Sequence, residues 1–212
     1  LITAFACSAT KNIPGNDALY WGSKVELKPK NDSVKFNRKN LESELEDLLR
    51  PKPNARIFGI PFKVLIYNIV DSPKGKGLGY WLKYKVGEPP VLASDVNTEK
   101  NREILENRLE NNGFFRSSMK ADTSIKNKKM EATYTELVSN RYSIDTVVYE
   151  TDSSVYGKIL ANMQRNSRLK TGKPYTLDRI KDERVRIDSR LKEKGFYYFN
   201  PEFLIVDADT TI

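Results

Sequence analysis

Two stretches of this chain open and close in the same way, and no other feature limits its fold as strongly. Gly87-Glu88-Pro89 leads into a charged amphipathic segment that ends Arg108-Leu109-Glu110-Asn111-Asn112-Gly113-Phe114-Phe115. Gly172-Lys173-Pro174 leads into another that ends Arg190-Leu191-Lys192-Glu193-Lys194-Gly195-Phe196-Tyr197. Both read G-x-P, helix, R-L-x-x-x-G-F-aromatic, with 26 residues from glycine to glycine in the first copy and 23 in the second. A signature recurring at this length marks one supersecondary unit used twice.

Each signature residue has a structural role. Gly113 and Gly195 stand where a helix closes its last turn with a left-handed residue. The prolines that follow Gly87 and Gly172 hold the chain extended, and Thr176 can cap the second helix. Ile104, Leu105 and Leu109 mark the buried side of the first helix; Leu177, Ile180, Ile187 and Leu191 mark that of the second. The four glycines are therefore read as turns rather than as chemistry.

The remaining elements fit around these two copies. Trp21–Leu27 reads as a strand. A helix over 38–50 carries Leu41, Leu45, Leu48 and Leu49 on one stripe, with Asn37 as its cap and Pro51 as its stop. The apolar run 57–70 is a helix begun by Pro61 or a buried strand, and periodicity leaves both open. Tyr80–Val86 alternates as a strand. After the first signature come strands at 114–122 and 129–137, joined by a turn at Lys126-Asn127-Lys128-Lys129. Tyr142, Ile144, Thr146 and Val148 alternate as a further strand, and Val155, Ile159, Leu160 and Met163 make a helix stripe. A last strand at 196–208 has no hairpin partner before Ile212. The fold class is thus α+β, with tandem β-α-α-β-β units: 21–138, carrying an insertion at 51–80, and 139–212, which lacks its last strand.

Composition removes several chemistries. With 39% hydrophobic and 30% charged residues the chain can build a core and is not a disordered polyelectrolyte. The absence of histidine excludes Ser-His-Asp and Cys-His nucleophiles and HExxH zinc sites. One cysteine, Cys7, makes neither an internal disulfide nor a thiolate cluster. The net charge of +8 comes from 36 basic residues interspersed with 28 acidic ones, so no nucleic-acid stripe is expected. Glu42, Glu44 and Glu46 fall on the solvated face of their helix and make no acid–base pair. The loop Ser72–Gly79 lacks the GxxxxGK[ST] spacing of a phosphate loop. No enzyme activity, metal or cofactor is expected.

Leu1–Ala6 is apolar and then small, and it precedes Cys7 as the end of a secretory signal precedes a lipoprotein cysteine, although Ala4 stands where leucine is favoured. Residues 1–6 are read as a signal remnant, Cys7 as a lipid attachment site, and 7–20 as a tether. No apolar run approaches the roughly 20 residues of a membrane helix.

A repeated β-α-α-β-β unit with this signature resembles the POTRA domains of the BamA/TamA family of outer-membrane assembly proteins. Cys7 with its polar tail, together with Tyr80-Trp81-Leu82-Lys83-Tyr84-Lys85-Val86-Gly87-Glu88-Pro89-Pro90, is similar to the lipidated TamA-type proteins of Bacteroidetes (TamL). The resemblance covers about 7–212. It implies the periplasmic arm of an assembly and translocation factor at the cell outer membrane, joined to a C-terminal barrel. The implied partners are outer-membrane protein clients and TamB-like or other assembly subunits, with no nucleic acid. Clients would add a strand to a sheet edge. The edges expected to do so are Phe114, Phe115, Arg116 and Ser117 in the first unit, and Phe196, Tyr197, Tyr198 and Phe199 in the second. A periplasmic scaffold or adaptor lipoprotein without a barrel is the competing reading.

Overall fold

The computed structural model describes residues 9–70, 75 and 77–210. Cys7, Lys74 and Lys76 lie outside them. The chain divides into two compact units. The first holds the residues up to 30, 37–106 and 118–138; the second holds 31–36, 107–117 and 139 onward.

The first unit is built on a mixed three-stranded sheet in the order β1-β3-β2. β1 (Leu19–Pro29) runs parallel to β3 (Lys129–Val138), and β2 (Lys120–Lys126) runs antiparallel to it. The β2–β3 hairpin turns on Asn127 and Lys128, at φ 52° and 56°. Two consecutive left-handed residues form the tight turn whose twist matches paired strands. Alternation then places Met130, Ala132 and Tyr134 of β3 on the buried face. There Met130 meets Ala18 and Tyr20, with Val91, Ala93 and Val96 packed against them.

Helix α1 (Arg38–Leu48) begins at Asn37, whose side chain accepts from the Asn40 N–H as expected of a cap. It buries Leu41 and Leu45. The ambiguous run at 57–70 resolves as helix α2 (Phe62–Ile69), preceded by Pro61 and burying Val64, Leu65 and Asn68. Residues 9–20, read as a tether, are not free. Ala9 and Ile13 pack with Leu19 and Leu65, and Asn68 Nδ2 donates to the Ala9 carbonyl at 3.1 Å. Buried asparagines fasten other loops of this unit. Asn54 bridges Pro89 O and Val91 N at 2.9 and 2.8 Å, and Asn101 bridges Arg50 O and N at 2.7 and 3.1 Å. Each satisfies backbone groups that irregular chain leaves over.

Tyr80–Val86 is helical, not a strand: α3 (Leu78–Trp81) continues into a π-turn at Leu82–Val86. The residues alternate, but they also repeat at i, i+4, and helical winding brings the rings of Tyr80 and Tyr84 to 4.8 Å. Tyr84 also meets Tyr67 at 6.4 Å, and Lys83 Nζ donates to Val70 O at 2.8 Å.

Helix α4 (Thr98–Asn111) carries the first signature. In the second unit, α5 (Val155–Gln164) is capped by Ser154 and α6 (Leu177–Glu193) by Thr176. These two helices bury Leu160, Met163, Ile187 and Leu191 together, with Phe196 and Phe199 against them. The described residues of this unit contain no strand of a sheet. Tyr142 to Ile144 is extended and bonds the backbone at 172–175, through Ile144 N to Lys173 O at 2.8 Å and Tyr175 N to Tyr142 O at 2.9 Å. The alternation at 142–148 therefore has only a short partner, and Val148 is exposed. The expected strand at 196–208 is also absent. Phe199 packs on Tyr156 and Phe203, and Pro201, which cannot donate to a ladder, starts a 3-10 turn over Pro201–Phe203.

Candidate functional site

The two copies of the signature close their helices in the same way. Gly113 N bonds Glu110 O at 2.8 Å and Phe114 N bonds Leu109 O at 2.9 Å; Gly195 N bonds Lys192 O and Phe196 N bonds Leu191 O, both at 3.0 Å. The glycines stand at φ 85° and 96°. This is the double bond pattern of a helix ended by a left-handed residue. The opening glycines differ: Gly172 is left-handed at φ 78°, whereas Gly87 is extended at φ −69° and lies against Tyr67 and the Lys83 carbonyl.

The aromatic pairs after these glycines do not begin strands. Phe114 is buried against Phe36, with the ring centroids at 6.0 Å. Phe115 lies between Tyr142 and Tyr175 at 5.2 and 4.9 Å. Arg116 turns the chain at φ 62°, and Ser117 Oγ donates back to Phe114 O at 2.8 Å. Phe196 and Phe199 pack on Tyr156 at 5.9 Å each, while Tyr197 and Tyr198 are exposed. The expectation that Phe114, Phe115, Arg116, Ser117, Phe196, Tyr197, Tyr198 and Phe199 form edge strands is thus corrected. Helix closure followed by aromatic burial uses these residues as core and turn. Cys7 falls outside the described residues.

A sheet edge does exist, six residues beyond Phe114, and the sheet's two edges are treated differently. Along β1, Tyr20 N bonds Val91 O and Ala93 N bonds Ala18 O, both at 2.8 Å. A bulge after Tyr20 shifts the parity. Beyond it, Val25 N donates to Glu46 Oε1 at 3.0 Å and Leu27 N to Glu42 Oε1 at 2.8 Å. Four residues of helix rise about 6 Å and two of strand about 6.6 Å, so carboxylates at i and i+4 match alternate strand amides. Arg38 Nε, 2.8 Å from the same oxygen of Glu42, holds that carboxylate in place. Glu42 and Glu46, read as solvated, therefore cap the backbone of β1. Nothing but the i, i+4 spacing signalled this.

Along β2 the pattern is the reverse. Lys126 pairs with Lys129 across the two-residue turn, which makes that pair hydrogen-bonded and sends Lys120, Asp122 and Ser124 inward to β3 as well. Ala121, Thr123 and Ile125 then turn their N–H and C=O groups outward. Among the described residues no donor or acceptor meets these groups. Every β2 residue except Ala121 is exposed, Ile125 among them. Seven residues of strand give an edge about 24 Å long.

Two buried carboxylates have opposite electrostatics. In the second unit, burial would raise the Glu183 carboxyl, but its hydrogen bonds outweigh that and hold it at about 2. It accepts from Arg186 Nη2 at 2.7 Å, from the Tyr149 hydroxyl, and from Arg168 N at 2.9 Å. In the first unit, burial raises Glu136 above the ordinary carboxylate range; the Ser118 N–H opposes the shift and the Glu106 charge adds to it.

No protein-family model matches the sequence, and no curated protein matches it. Two solved structures align with the chain at 13% identity. POTRA1-2 of the periplasmic domain of Omp85 from Anabaena aligns over 91% of this chain and 86% of that one, at a TM-score of 0.38. POTRA3-5 of Haemophilus influenzae BamA aligns over 87% of this chain and 89% of that one, at a TM-score of 0.29.

Proposed function

We propose that this chain is a non-catalytic, POTRA-type arm of an outer-membrane assembly factor, and that it holds extended client segments by strand addition along β2. The observation that carries this reading is the asymmetry of the sheet. One edge has two of its amides capped by two carboxylates of α1, and the other has three alternate, outward-facing residues with no partner among the described residues. Pairing along such an edge is made by backbone, so it accepts many sequences of similar length. That tolerance suits a factor that handles many clients. The repeated signature and the Tyr80–Pro90 segment support the family assignment. In the TamL-type form of the reading, acylated Cys7 and a C-terminal barrel hold the arm at the outer membrane, and TamB-like subunits are its partners. The scaffold reading without a barrel has no separate observation in its favour.

Site-specific photo-crosslinking in native cells tests this. A crosslinker at Thr123 of the full protein should trap outer-membrane protein chains during their export, and one at Glu26, beside the capped edge, should not. Equal trapping at both positions, or none at Thr123, would remove strand addition at β2 from the account.

A further inference from the structure

The stretch between α1 and α4, the insertion at 51–80 together with the helical residues up to Val86, has a surface that the edge mechanism leaves unused. Between Pro51 and Gly87 the sequence holds seven lysines and arginines and one acidic residue, Asp71. These 37 residues therefore carry +6 of a total charge of +8. They also display large apolar groups to solvent. Ile57 and Ile60 bond each other through both N–H groups at 3.0 Å, closing a small loop with Phe58 and Gly59 at its tip. Phe58 sits there at φ 50°, a conformation unfavourable for its side chain, and its ring is 98% exposed. On α2, Phe62 and Ile69 face solvent at i and i+7, opposite the buried Val64, Leu65 and Asn68. From Leu78 to Val86 no residue is buried, although the segment contains Leu78, Tyr80, Trp81 and Tyr84. α2 and this segment are joined through Tyr67, Tyr84 and Lys83.

We infer that this insertion is a docking surface for an anionic lipid bilayer. Tryptophan and tyrosine with exposed aliphatic groups, and with Lys63 and Lys85 exposed in the same segments, are the composition of a surface that sits at the headgroup level. The kind of cation separates a bilayer from a protein partner. Among the described residues, four of the five are lysine: Lys52, Lys63, Lys83 and Lys85. Lysine is depleted in protein–protein interfaces, where arginine is preferred, whereas clustered lysines attract phosphate headgroups through net charge alone. A folded loop that holds Phe58 in an unfavourable conformation and 98% exposed has its ring already placed for insertion.

Flotation with lipid vesicles tests this, using the chain with Cys7→Ser so that no acyl chain contributes. The chain should float with phosphatidylcholine vesicles containing about 30% phosphatidylglycerol, not with phosphatidylcholine alone, and should be released as salt rises from about 0.1 to 0.5 M. In a Trp21→Phe background the emission of Trp81 should shift to the blue on binding. The pair Phe58→Ser and Trp81→Ser, and separately the pair Lys63→Glu and Lys85→Glu, should each weaken binding by about tenfold or more. All four positions are exposed, so circular dichroism should be unchanged. Lys126→Glu, on the β2 turn, should change binding less than about twofold. No flotation with anionic vesicles, or equal flotation of all variants, would overturn the inference. So would a concentration-dependent dimer lost with Trp81→Ser, since the surface would then serve a second copy of the chain. Because β2 takes no part, failure here leaves the crosslinking test untouched, and the reverse also holds.

Discussion

The first unit is held around a sheet and, among the described residues, the second is held without one; both copies of the helix-closing signature, at 108–115 and 190–197, fall in the second. After the first copy the chain enters the β2–β3 hairpin of the first unit, where β3 lies between two neighbours. In the second, α6 leads to a turn, and stability comes from the cluster of Leu160, Met163, Ile187 and Leu191 and from hydrogen bonds that converge on Glu183. The difference teaches that R-L-x-x-x-G-F-aromatic encodes the end of a helix and the burial of an aromatic ring, and nothing further. A strand follows only where the chain also supplies a turn and a partner, as Asn127 and Lys128 do between β2 and β3.

The comparison can be broken most sharply within the sheet. Ser124→Pro removes an amide that points into the ladder and should destabilise the first unit by about 3 kcal/mol. Thr123→Pro removes one that points outward and should cost less than about 1 kcal/mol while abolishing client pairing. Urea denaturation of both variants checks this, and equal losses would show that the β2 register is wrong.

Acid should separate the two units. Glu183 is held at about 2 against an ordinary value near 4.5, so its contribution is present at neutral pH. That contribution, on the order of 3 kcal/mol, is lost as pH falls from about 5 to about 2. Glu136 works in the other direction: its raised carboxyl takes up a proton more readily folded than unfolded, so falling pH relieves its burial. Amide NMR spectra recorded down to pH 3 should lose the signals around Tyr149 and Arg168 first, and Glu183→Gln should remove much of that acid dependence. Early loss of β3 signals would contradict the assignment.

The capped edge gives a smaller effect. Glu42→Ala with Glu46→Ala leaves the Val25 and Leu27 amides without their carboxylates and should cost about 2 kcal/mol. It should also create a second sticky edge, seen as self-association in sedimentation. The smallest effect concerns the shared signature. Gly195→Ala should cost about 1 kcal/mol for its left-handed backbone alone, since nothing lies within 4 Å of an added methyl. Gly113→Ala should cost more, because the methyl would meet Tyr175 O at 2.8 Å. Thermal denaturation of the two variants ranks them.

The helices were legible because their signals are local. Asn37, Thr176, Gly113 and Gly195 each act within one turn of chain, and the leucine stripe of α1 needs no partner to be seen. The sheet was legible only in part. β1 and β3 carry alternating apolar residues that face a core, but 142–148 carries similar alternation without a neighbour long enough to pair with, and the apolar run 196–208 is broken by Pro201. Tyr80–Val86 satisfied both periods, and ring contacts with Tyr67 decided for the helix. The edge itself was anticipated in kind and misplaced in position. The aromatic pair Phe114-Phe115 drew the strand too early, and the residues that form it, Lys120–Lys126, are mostly polar and bear no mark of their own. The capping of β1 by Glu42 and Glu46 depends on the bulge after Tyr20, which nothing in the sequence announces.

The central claim is that β2 presents an unfilled edge and β1 does not. Hydrogen–deuterium exchange resolved at single amides, with and without a synthetic strand peptide of about ten alternating apolar and polar residues, measures this directly. The amides of Ala121, Thr123 and Ile125 should exchange fast in the free chain and become protected when the peptide is added, while Val25 and Leu27 stay protected throughout. If the three β2 amides are slow before any peptide is present, or stay fast when it binds, the edge is not where this chain holds its clients.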